Sequence, residues 1–284
     1  MQQYGLILLA ATIVANTSYA LILRAAQKRG ANEIAVGLVN YLFASGLYLT
    51  IGLLTLPVGS LTALGYGAIA GTSNVAIFLL LLAAMTIRGV AISVAVVRLA
   101  VVVPMTAAIL VWGEVPDSLQ IWGIALALLA LPMLSLDRGV NHQPLTSRRL
   151  AILVGLFMAN GITLLMLKAF QTTGYGAARP IYLGTMFFVG AVICGLVWAR
   201  NPQPWHGTLE IKWGLLLGAS NAIINILILA TLDVLLASVM FPILAAVGLA
   251  LTTTFAAVVW REIPGRLGWA GIGLAVLAVV LANM

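Results

Sequence analysis

A single arginine lies deep within one of the apolar segments of this chain. Arg98 follows about nine residues of an apolar run, roughly 14 Å along a helix. No acidic residue lies at a comparable depth in any run. A guanidinium there costs about 2.5–3.5 kcal/mol to insert, so it should face the protein interior or a water-filled cavity. We interpret Arg98 as a candidate receptor for a carboxylate or phosphate. The alternative is a structural role, in which asparagine side chains and backbone carbonyls accept the hydrogen bonds of Arg98.

Asparagines within apolar runs form the second candidate set. They are Asn16, Asn40, Asn74, Asn160, Asn221 and Asn225. A carboxamide in lipid needs hydrogen-bond partners, so these side chains should point inward. For Asn16 and Asn160 we predict hydrogen bonds between helices. For Asn40, Asn74, Asn221 and Asn225 we predict a surface that lines a substrate or water path, with interhelical hydrogen bonding as the alternative.

Three aromatic residues complete the candidate binding surface. The tryptophans lie toward the ends of the apolar runs, as in the aromatic belts of membrane proteins. Tyr41, Phe78 and Tyr182 instead lie inside runs. We therefore place these three with Arg98 and the asparagines as candidate substrate contacts.

Catalytic and metal chemistry is not indicated. His142 and His206 lie in connectors, with no cysteine or carboxylate at ligand spacing. Cys194 is the one cysteine in the sequence, which excludes an intramolecular disulfide. No nucleophile elbow, P-loop or zincin pattern is present. We expect no catalytic residue, no metal and no cofactor.

The elements that hold these residues must lie in lipid. Of 284 residues, 63% are hydrophobic and only 7% are charged, against about 25% charged in a soluble domain. Fourteen basic and seven acidic residues cannot coat a water-soluble exterior. The net charge of +7 resides mainly in short connectors. We interpret it as a topology signal and expect no nucleic-acid partner.

The apolar residues form ten runs, each about as long as a transmembrane helix. The runs lie near 4–23, 34–56, 62–85, 89–112, 118–136, 149–169, 178–199, 210–232, 235–260 and 266–283. The longest polar connector falls after the fifth run. The sequence predicts an all-α integral membrane protein of ten transmembrane helices, in which residues 1–136 and 149–284 form five-helix halves and 137–148 a linker.

Three motifs of the first half recur in the second half, in the same order and at nearly the same offset. They are AN followed by L-x-L-(R/K)-A-x-Q, from Asn16 and Asn160; G-x-x-x-G-x-S-N, ending at Asn74 and Asn221; and W-x-E-x-P, around Glu114 and Glu262. Such duplication indicates internal repeats. Because each half has an odd number of spans, the second half must enter the membrane from the opposite side. We therefore predict two inverted repeats, which place Glu114 and Glu262 at opposite membrane faces.

Glycine pairs and two prolines are candidate packing and hinge residues. The glycine pairs are Gly67 with Gly71 and Gly214 with Gly218. This GxxxG spacing lets two helix backbones approach closely. We predict packing within the monomer in preference to a dimer interface, so the protein is expected to be a monomer or a homodimer. Pro104 and Pro242 interrupt the fourth and ninth runs and are candidate gating hinges.

The whole chain resembles the ten-helix drug/metabolite transporter superfamily, and specifically its EamA-type members. The most specific part is the duplicated pair GEVPDSLQIWGIALALLALP and REIPGRLGWAGIGLAVLAVV. The resemblance implies that helices one to four and six to nine surround a central substrate cavity, while the fifth and tenth support them. Two features depart from the family pattern. Asn40 stands where an arginine is frequent, and the two prolines have different spacings to the following glutamate.

We therefore expect a transporter that exports a small amphipathic metabolite, such as an amino acid or organic anion, by alternating access. Its partners would be that small molecule and the lipid bilayer of a bacterial inner membrane. One alternative is a sugar, nucleotide-sugar or amine and drug carrier of the same fold, in which Arg98 is structural. A non-transporting membrane scaffold is a further alternative.

The distribution of basic residues predicts the orientation. Counted by alternate connectors, one side of the membrane carries only Lys168 and Arg179, and the other side carries most of the remaining basic residues. By the positive-inside rule the second side is cytoplasmic and both termini lie outside, whereas the family resemblance implies the reverse. A phosphatase reporter fused after Met284 should therefore be active. A fluorescent signal there, from a reporter that folds only in the cytoplasm, would contradict this orientation.

Overall fold

A computed structural model describes residues 2–88, 96–136, 146–200, 205, 207–260 and 265–282. The helices are α1 (Gln2–Lys28), α2 (Glu33–Thr55), α3 (Ser60–Arg88), α4 (Val102–Leu110), α5 (Ser118–Leu136), α6 (Ser147–Thr172), α7 (Arg179–Arg200), α8 (Thr208–Leu232), α9 (Ala237–Trp260) and α10 (Arg266–Ala282). Residues 96–99 are also helical and lead into α4 through a turn at 100–101. Over these ranges the chain has no strand, so the prediction of an all-α fold is confirmed.

Six of the described helices are long and apolar enough to cross a membrane: α1, α2, α3, α6, α7 and α8. The apolar stretches Val96–Leu110, Ser118–Ala130, Ala237–Leu251 and Arg266–Ala278 are shorter. Large apolar side chains also cover much of the exterior; for example, Leu54 is 82% exposed and Leu61 is 84% exposed. Such a surface is stable against lipid rather than water. The protein therefore has the features of a multi-pass membrane protein.

The described chain forms two compact units, neither of which follows the sequence halves. The first unit contains Met1–Ile13, Ala76–Leu165 and Thr231–Met284. The second unit contains Val14–Val75 and Met166–Ala230. All four boundaries fall inside helices, so that α1, α3, α6 and α8 each contribute residues to both units.

The first unit packs α9 against α4, α5 and α10, and packs α5 closely along α10. A carboxylate sets the start of α9. Glu114 is buried, and its Oε1 accepts the N–H of Ala237 at 3.1 Å. Its Oε2 accepts the N–H of Ser238 at 2.9 Å and the Ser238 hydroxyl at 2.8 Å. Because the first N–H groups of a helix have no intrahelical partner, Glu114 satisfies α9 where it begins.

The second unit is built on the pair of α2 and α7. A Cβ placed on Gly184 of α7 would lie 2.8 Å from Leu49 Cδ2 and 2.9 Å from the Leu49 nitrogen, so the two backbones are in close contact. The start of α2 is capped by Asn32, whose Oδ1 accepts the N–H of Ile34 at 3.1 Å and of Ala35 at 3.2 Å. The buried Glu210 of α8 accepts the Asn32 N–H at 3.2 Å. These bonds fix where α2 begins relative to α8.

Candidate functional site

Three of the predicted asparagines form a buried cluster in the second unit. Asn40 of α2 is 1% exposed, and Asn221 and Asn225 of α8 are 8% and 7% exposed. Asn221 Nδ2 donates to Asn40 Oδ1 at 3.3 Å. Asn225 Nδ2 donates to the Asn221 backbone oxygen at 2.9 Å and to Asn221 Oδ1 at 3.0 Å. The cluster therefore joins α2 to α8 through neutral amide groups.

The fourth predicted asparagine is bonded to the residue beside this cluster. The Tyr41 hydroxyl donates to Asn74 Oδ1 of α3 at 2.9 Å. Since Asn40 and Tyr41 are consecutive on α2, this helix is bonded to α8 by one side chain and to α3 by the next. Tyr48, about two turns further along α2, is also bonded to α8. Its hydroxyl donates to the Ala222 backbone oxygen at 2.9 Å.

Glycines bring these helices close enough for the amides to meet. In α8, a Cβ on Gly218 would lie 2.9 Å from the backbone oxygen of Asn40 and 3.0 Å from Phe43 Cδ1. A Cβ on Gly214 would lie 3.1 Å from the backbone oxygen of Val36. Asn221 follows Gly218 by three residues, on the same helix face. The GxxxG motif of α8 thus lies against α2, and it positions Asn221 beside Asn40.

The GxxxG motif of α3 makes the corresponding contact with α7. A Cβ on Gly67 would lie 2.6 Å from the Tyr182 oxygen and 2.9 Å from Thr185 Cβ. One on Gly71 would overlap the Met186 oxygen. Both motifs therefore pack against helices of the same chain, and in each case an asparagine one turn later bonds to α2.

Tyr182 lies in an aromatic stack of the second unit. Its side chain has no exposed surface, and its ring stacks on Phe170 with centroids 4.5 Å apart and an interplanar angle of 4°. Phe170 in turn meets Tyr66 edge to face at 6.4 Å. The predicted contact Phe78 lies in the first unit, where it is half-buried and has contacts of its own.

Arg98 also lies in the first unit, in the short helical stretch before α4. Its side chain is half-buried, and its Nη1 lies 3.8 Å from the position that a Cβ on Gly248 of α9 would occupy. Arg98 interacts with other groups in the structure, so it is not an isolated cation. A role in binding an anion and a role in joining this stretch to α9 are both compatible with this position.

The break before α4 has the geometry expected upstream of a proline. Pro104 has no N–H to donate to the oxygen of Ala100, which instead accepts the N–H of Val103 at 3.1 Å. The Val101 N–H donates to the Arg98 backbone oxygen at 3.4 Å. The Val97 oxygen, which Val101 would otherwise bond in a regular helix, accepts the Asn160 amide of α6 at 2.6 Å. Asn160 thus has the interhelical role that we predicted for it.

Pro242 differs from Pro104. Pro242 is a candidate gating hinge, and α9 continues without a break from Ala237 to Trp260 with Pro242 inside it. Its role as a hinge stays a prediction. Only about one helical turn precedes Pro242, so the residues before it can adjust to the proline ring without breaking a longer helix.

Two charged residues near run ends are buried, which sequence reasoning did not anticipate. Lys168 lies near the end of the run 149–169; in the structure it is part of α6, is only 6% exposed and donates to Gln171 Oε1 at 3.1 Å. Glu210 is the first residue of the run 210–232; it lies in the first turn of α8 and has no exposed surface. Glu114 lies in the connector between α4 and α5, and the helix start that it bonds belongs to α9. Its duplicated W-x-E-x-P motif was the one sequence signal that singled it out.

No protein-family model matches the chain, and no curated protein matches it. A solved structure described in the words "Crystal structure of protein" is similar, with a TM-score of 0.78 at 13% sequence identity. The likeness covers 99% of this chain and 97% of that chain. At this identity it shows a common fold over the whole length.

Proposed function

We propose that this protein is a membrane transporter of small amphipathic metabolites, with ten spans arranged as two inverted five-helix repeats of the EamA type. The observation that carries the proposal is the buried cluster of Asn40, Asn221 and Asn225, together with the Tyr41 and Asn74 pair. Polar groups inside lipid-embedded helices are costly, and they mark substrate or ion paths in such proteins. Alternating access between the two membrane faces is the mechanism that this architecture serves.

Reciprocal contacts support the inverted repeat. The third helix of the first half packs its GxxxG motif on α7, which is the second helix of the other half. The third helix of the second half, α8, packs its GxxxG motif on α2 in return. A two-fold axis relating the halves would produce this exchange.

Contacts between helix ends are also consistent with that topology. Glu210 at the start of α8 bonds Asn32 at the start of α2. Tyr175, just before α7, packs against Gly59, just before α3, where a φ of +87° disfavours any residue with a side chain. In an inverted pair, the starts of α2 and α8 lie on one side of the membrane and those of α3 and α7 on the other. The proposed location is the inner membrane of a bacterium.

A flux experiment tests transport. Proteoliposomes are loaded with the common amino acids, glucose, citrate and choline, and efflux is followed by mass spectrometry. We expect at least one of these compounds to leave faster than from protein-free liposomes. Asn225→Ala should lower that flux roughly tenfold, because the amide no longer orients Asn221 toward Asn40.

The matched control lies two residues away on the same helix. Ile223 is 53% exposed, so Ile223→Ala should leave the flux unchanged. If Asn225→Ala lowers only the unfolding temperature and not the flux per folded protein, the cluster is structural. If the wild-type protein moves no compound in the mixture, the proposed function fails.

A neutral or cationic cargo is a second candidate, favoured because the cluster consists of amides and hydroxyls and because Arg98 already engages other groups. Arg98→Gln separates the two candidates. If Arg98 binds the carboxylate of an amino acid or of citrate, flux of these compounds should fall while that of glucose and choline persists, and Arg98→Lys should retain part of it. Equal flux of all compounds in Arg98→Gln would favour the second candidate.

A further inference from the structure

Two hydroxyl groups on α7 are buried without a hydrogen-bond partner among the residues that the structure describes. They belong to Tyr182, which has no exposed surface, and to Thr185, which is 9% exposed. The two residues are three apart on one helix, so their side chains leave the same face. An unbonded buried hydroxyl lowers stability, so two of them one turn apart call for a specific reason.

Other threonines of this protein bond to the backbone of their own helix. Thr12, Thr163 and Thr254, for example, donate to the oxygen four residues earlier at 2.7, 3.0 and 2.9 Å. This local bond is the usual way in which a threonine hydroxyl is satisfied in a membrane helix. Thr185 does not make it. Its hydroxyl is therefore held away from the nearest available acceptor.

Two other tyrosines of the second unit donate their hydroxyl groups to an acceptor in the protein. Tyr41 donates to Asn74 Oδ1 and Tyr48 donates to the Ala222 oxygen, both at 2.9 Å. Tyr182 has no such acceptor within the described part of the chain. The surrounding architecture can pair buried tyrosines, so the unpaired state of Tyr182 is specific to its position.

The contacts that the structure gives for Tyr182 and Thr185 are with neutral groups. The Tyr182 ring is fixed by its stack on Phe170, and Gly67 of α3 lies directly against Tyr182 and Thr185. A Cβ at this position would lie 2.6 Å from the Tyr182 backbone oxygen, so α3 and α7 are in close contact beside the two hydroxyls. Each hydroxyl can donate and accept one or more hydrogen bonds. Because no charged group is among these contacts, a neutral partner suits the site better than an ion.

We propose that the Tyr182 and Thr185 hydroxyls form a subsite that hydrogen-bonds a neutral polar group of the transported molecule: a hydroxyl, carbonyl or carboxamide. The ring of Tyr182, held rigidly by Phe170, would set the distance of its hydroxyl from that group. This inference rests on the proposed transport function and assigns part of the cargo's chemistry. Thr185 is an additional binding residue, which the sequence analysis did not include among its candidates.

A stability measurement on the full-length protein in detergent, without added compounds, is the first test. Tyr182→Phe and Thr185→Val each remove one hydroxyl with little change of shape. We expect an unfolding midpoint equal to or above that of the wild type, since the lost group bonds no described residue. Tyr48→Phe removes a bonded hydroxyl and should lower the midpoint. A fall for Tyr182→Phe as large as that for Tyr48→Phe would overturn the subsite, because the hydroxyl would then serve a structural bond.

Transport by the same variants is the second test, with the loaded mixture of amino acids, glucose, citrate and choline. We expect Tyr182→Phe and Thr185→Val to lower flux of serine, threonine, glutamine or glucose by roughly threefold to tenfold, and to leave alanine and leucine unaffected. Equal flux in wild type and both variants overturns the subsite alone, as does transport restricted to hydroxyl-free and amide-free compounds. Absence of any wild-type flux overturns the transport function and the subsite together.

Discussion

Replacing Gly71 by alanine should destabilise the protein by about 2 kcal/mol, the cost of overpacking a tight interface. The added methyl group would overlap the Met186 oxygen and lie 2.9 Å from Val189 Cβ. A backbone oxygen cannot rotate away as a side chain can, so α3 must move off α7. That movement would also stretch the hydrogen bond between Tyr41 and Asn74, one turn along α3. The unfolding midpoint in detergent, followed by tryptophan fluorescence, measures the effect.

The same helix offers a matched control. Gly65 is exposed, and a Cβ on it would meet nothing within 4 Å. Gly65→Ala should therefore be neutral or stabilise by up to about 1 kcal/mol, because alanine favours the helix. Equal midpoints for the two variants would contradict the close approach of α3 to α7. Loss of dimers without loss of stability in Gly71→Ala would instead assign the motif to contacts between copies.

Helix positions follow closely from the apolar runs, since a helix in lipid must be long enough to cross it and must end where polar groups begin. The run 118–136 coincides with α5, and the run 210–232 differs from α8 only at its first residues. The fourth run is the exception. Pro104 lies inside it. Because proline has no N–H to donate, the helix is interrupted at residues 100–101. At Pro242 the helix is not interrupted, because only about one turn of α9 precedes this proline.

The asparagines could be placed in helices from the sequence, but their partners could not be identified. Asn40 and Tyr41 are adjacent, and only the packing of α2 determines that one faces α8 and the other α3. The glycine spacing suggested close helix contacts without identifying the opposing helix. The aromatic stack of Tyr182 on Phe170 joins helices that the sequence gives no reason to pair.

Burial of charge was the least predictable property. Lys168 and Glu210 lie near the ends of apolar runs, where charged side chains are expected to be exposed to water. Each is covered instead by neighbouring elements and bonded to a polar group, Gln171 for the lysine and Asn32 for the glutamate. The bond of Glu210 joins residues far apart in the sequence, so the spacing along one run cannot predict it. Gln171 lies only three residues from Lys168, and for the lysine it is the burial that depends on tertiary packing.

Replacing Glu114 by glutamine should destabilise the protein by about 3 kcal/mol. The buried carboxylate accepts three hydrogen bonds, from the N–H groups of Ala237 and Ser238 and from the Ser238 hydroxyl. Bonds to a charged acceptor contribute more than neutral ones, and the positive end of the α9 dipole adds to them. In glutamine, one oxygen becomes an NH₂ donor that would face N–H donors. The start of α9 would then lose at least one partner, and the unfolding midpoint measures that loss.

Asp117, three residues along the chain, provides the control for charge. Asp117 is exposed, and its Oδ1 accepts the N–H of Gln120 at 2.8 Å at the start of α5. Asp117→Asn removes the same unit of charge but keeps an oxygen that can accept this bond, and asparagine is an equally good N-cap. We expect a change within about 0.5 kcal/mol. If Glu114→Gln and Asp117→Asn shift the midpoint equally, the effect is one of net charge, and the bond between Glu114 and α9 contributes nothing specific to the fold.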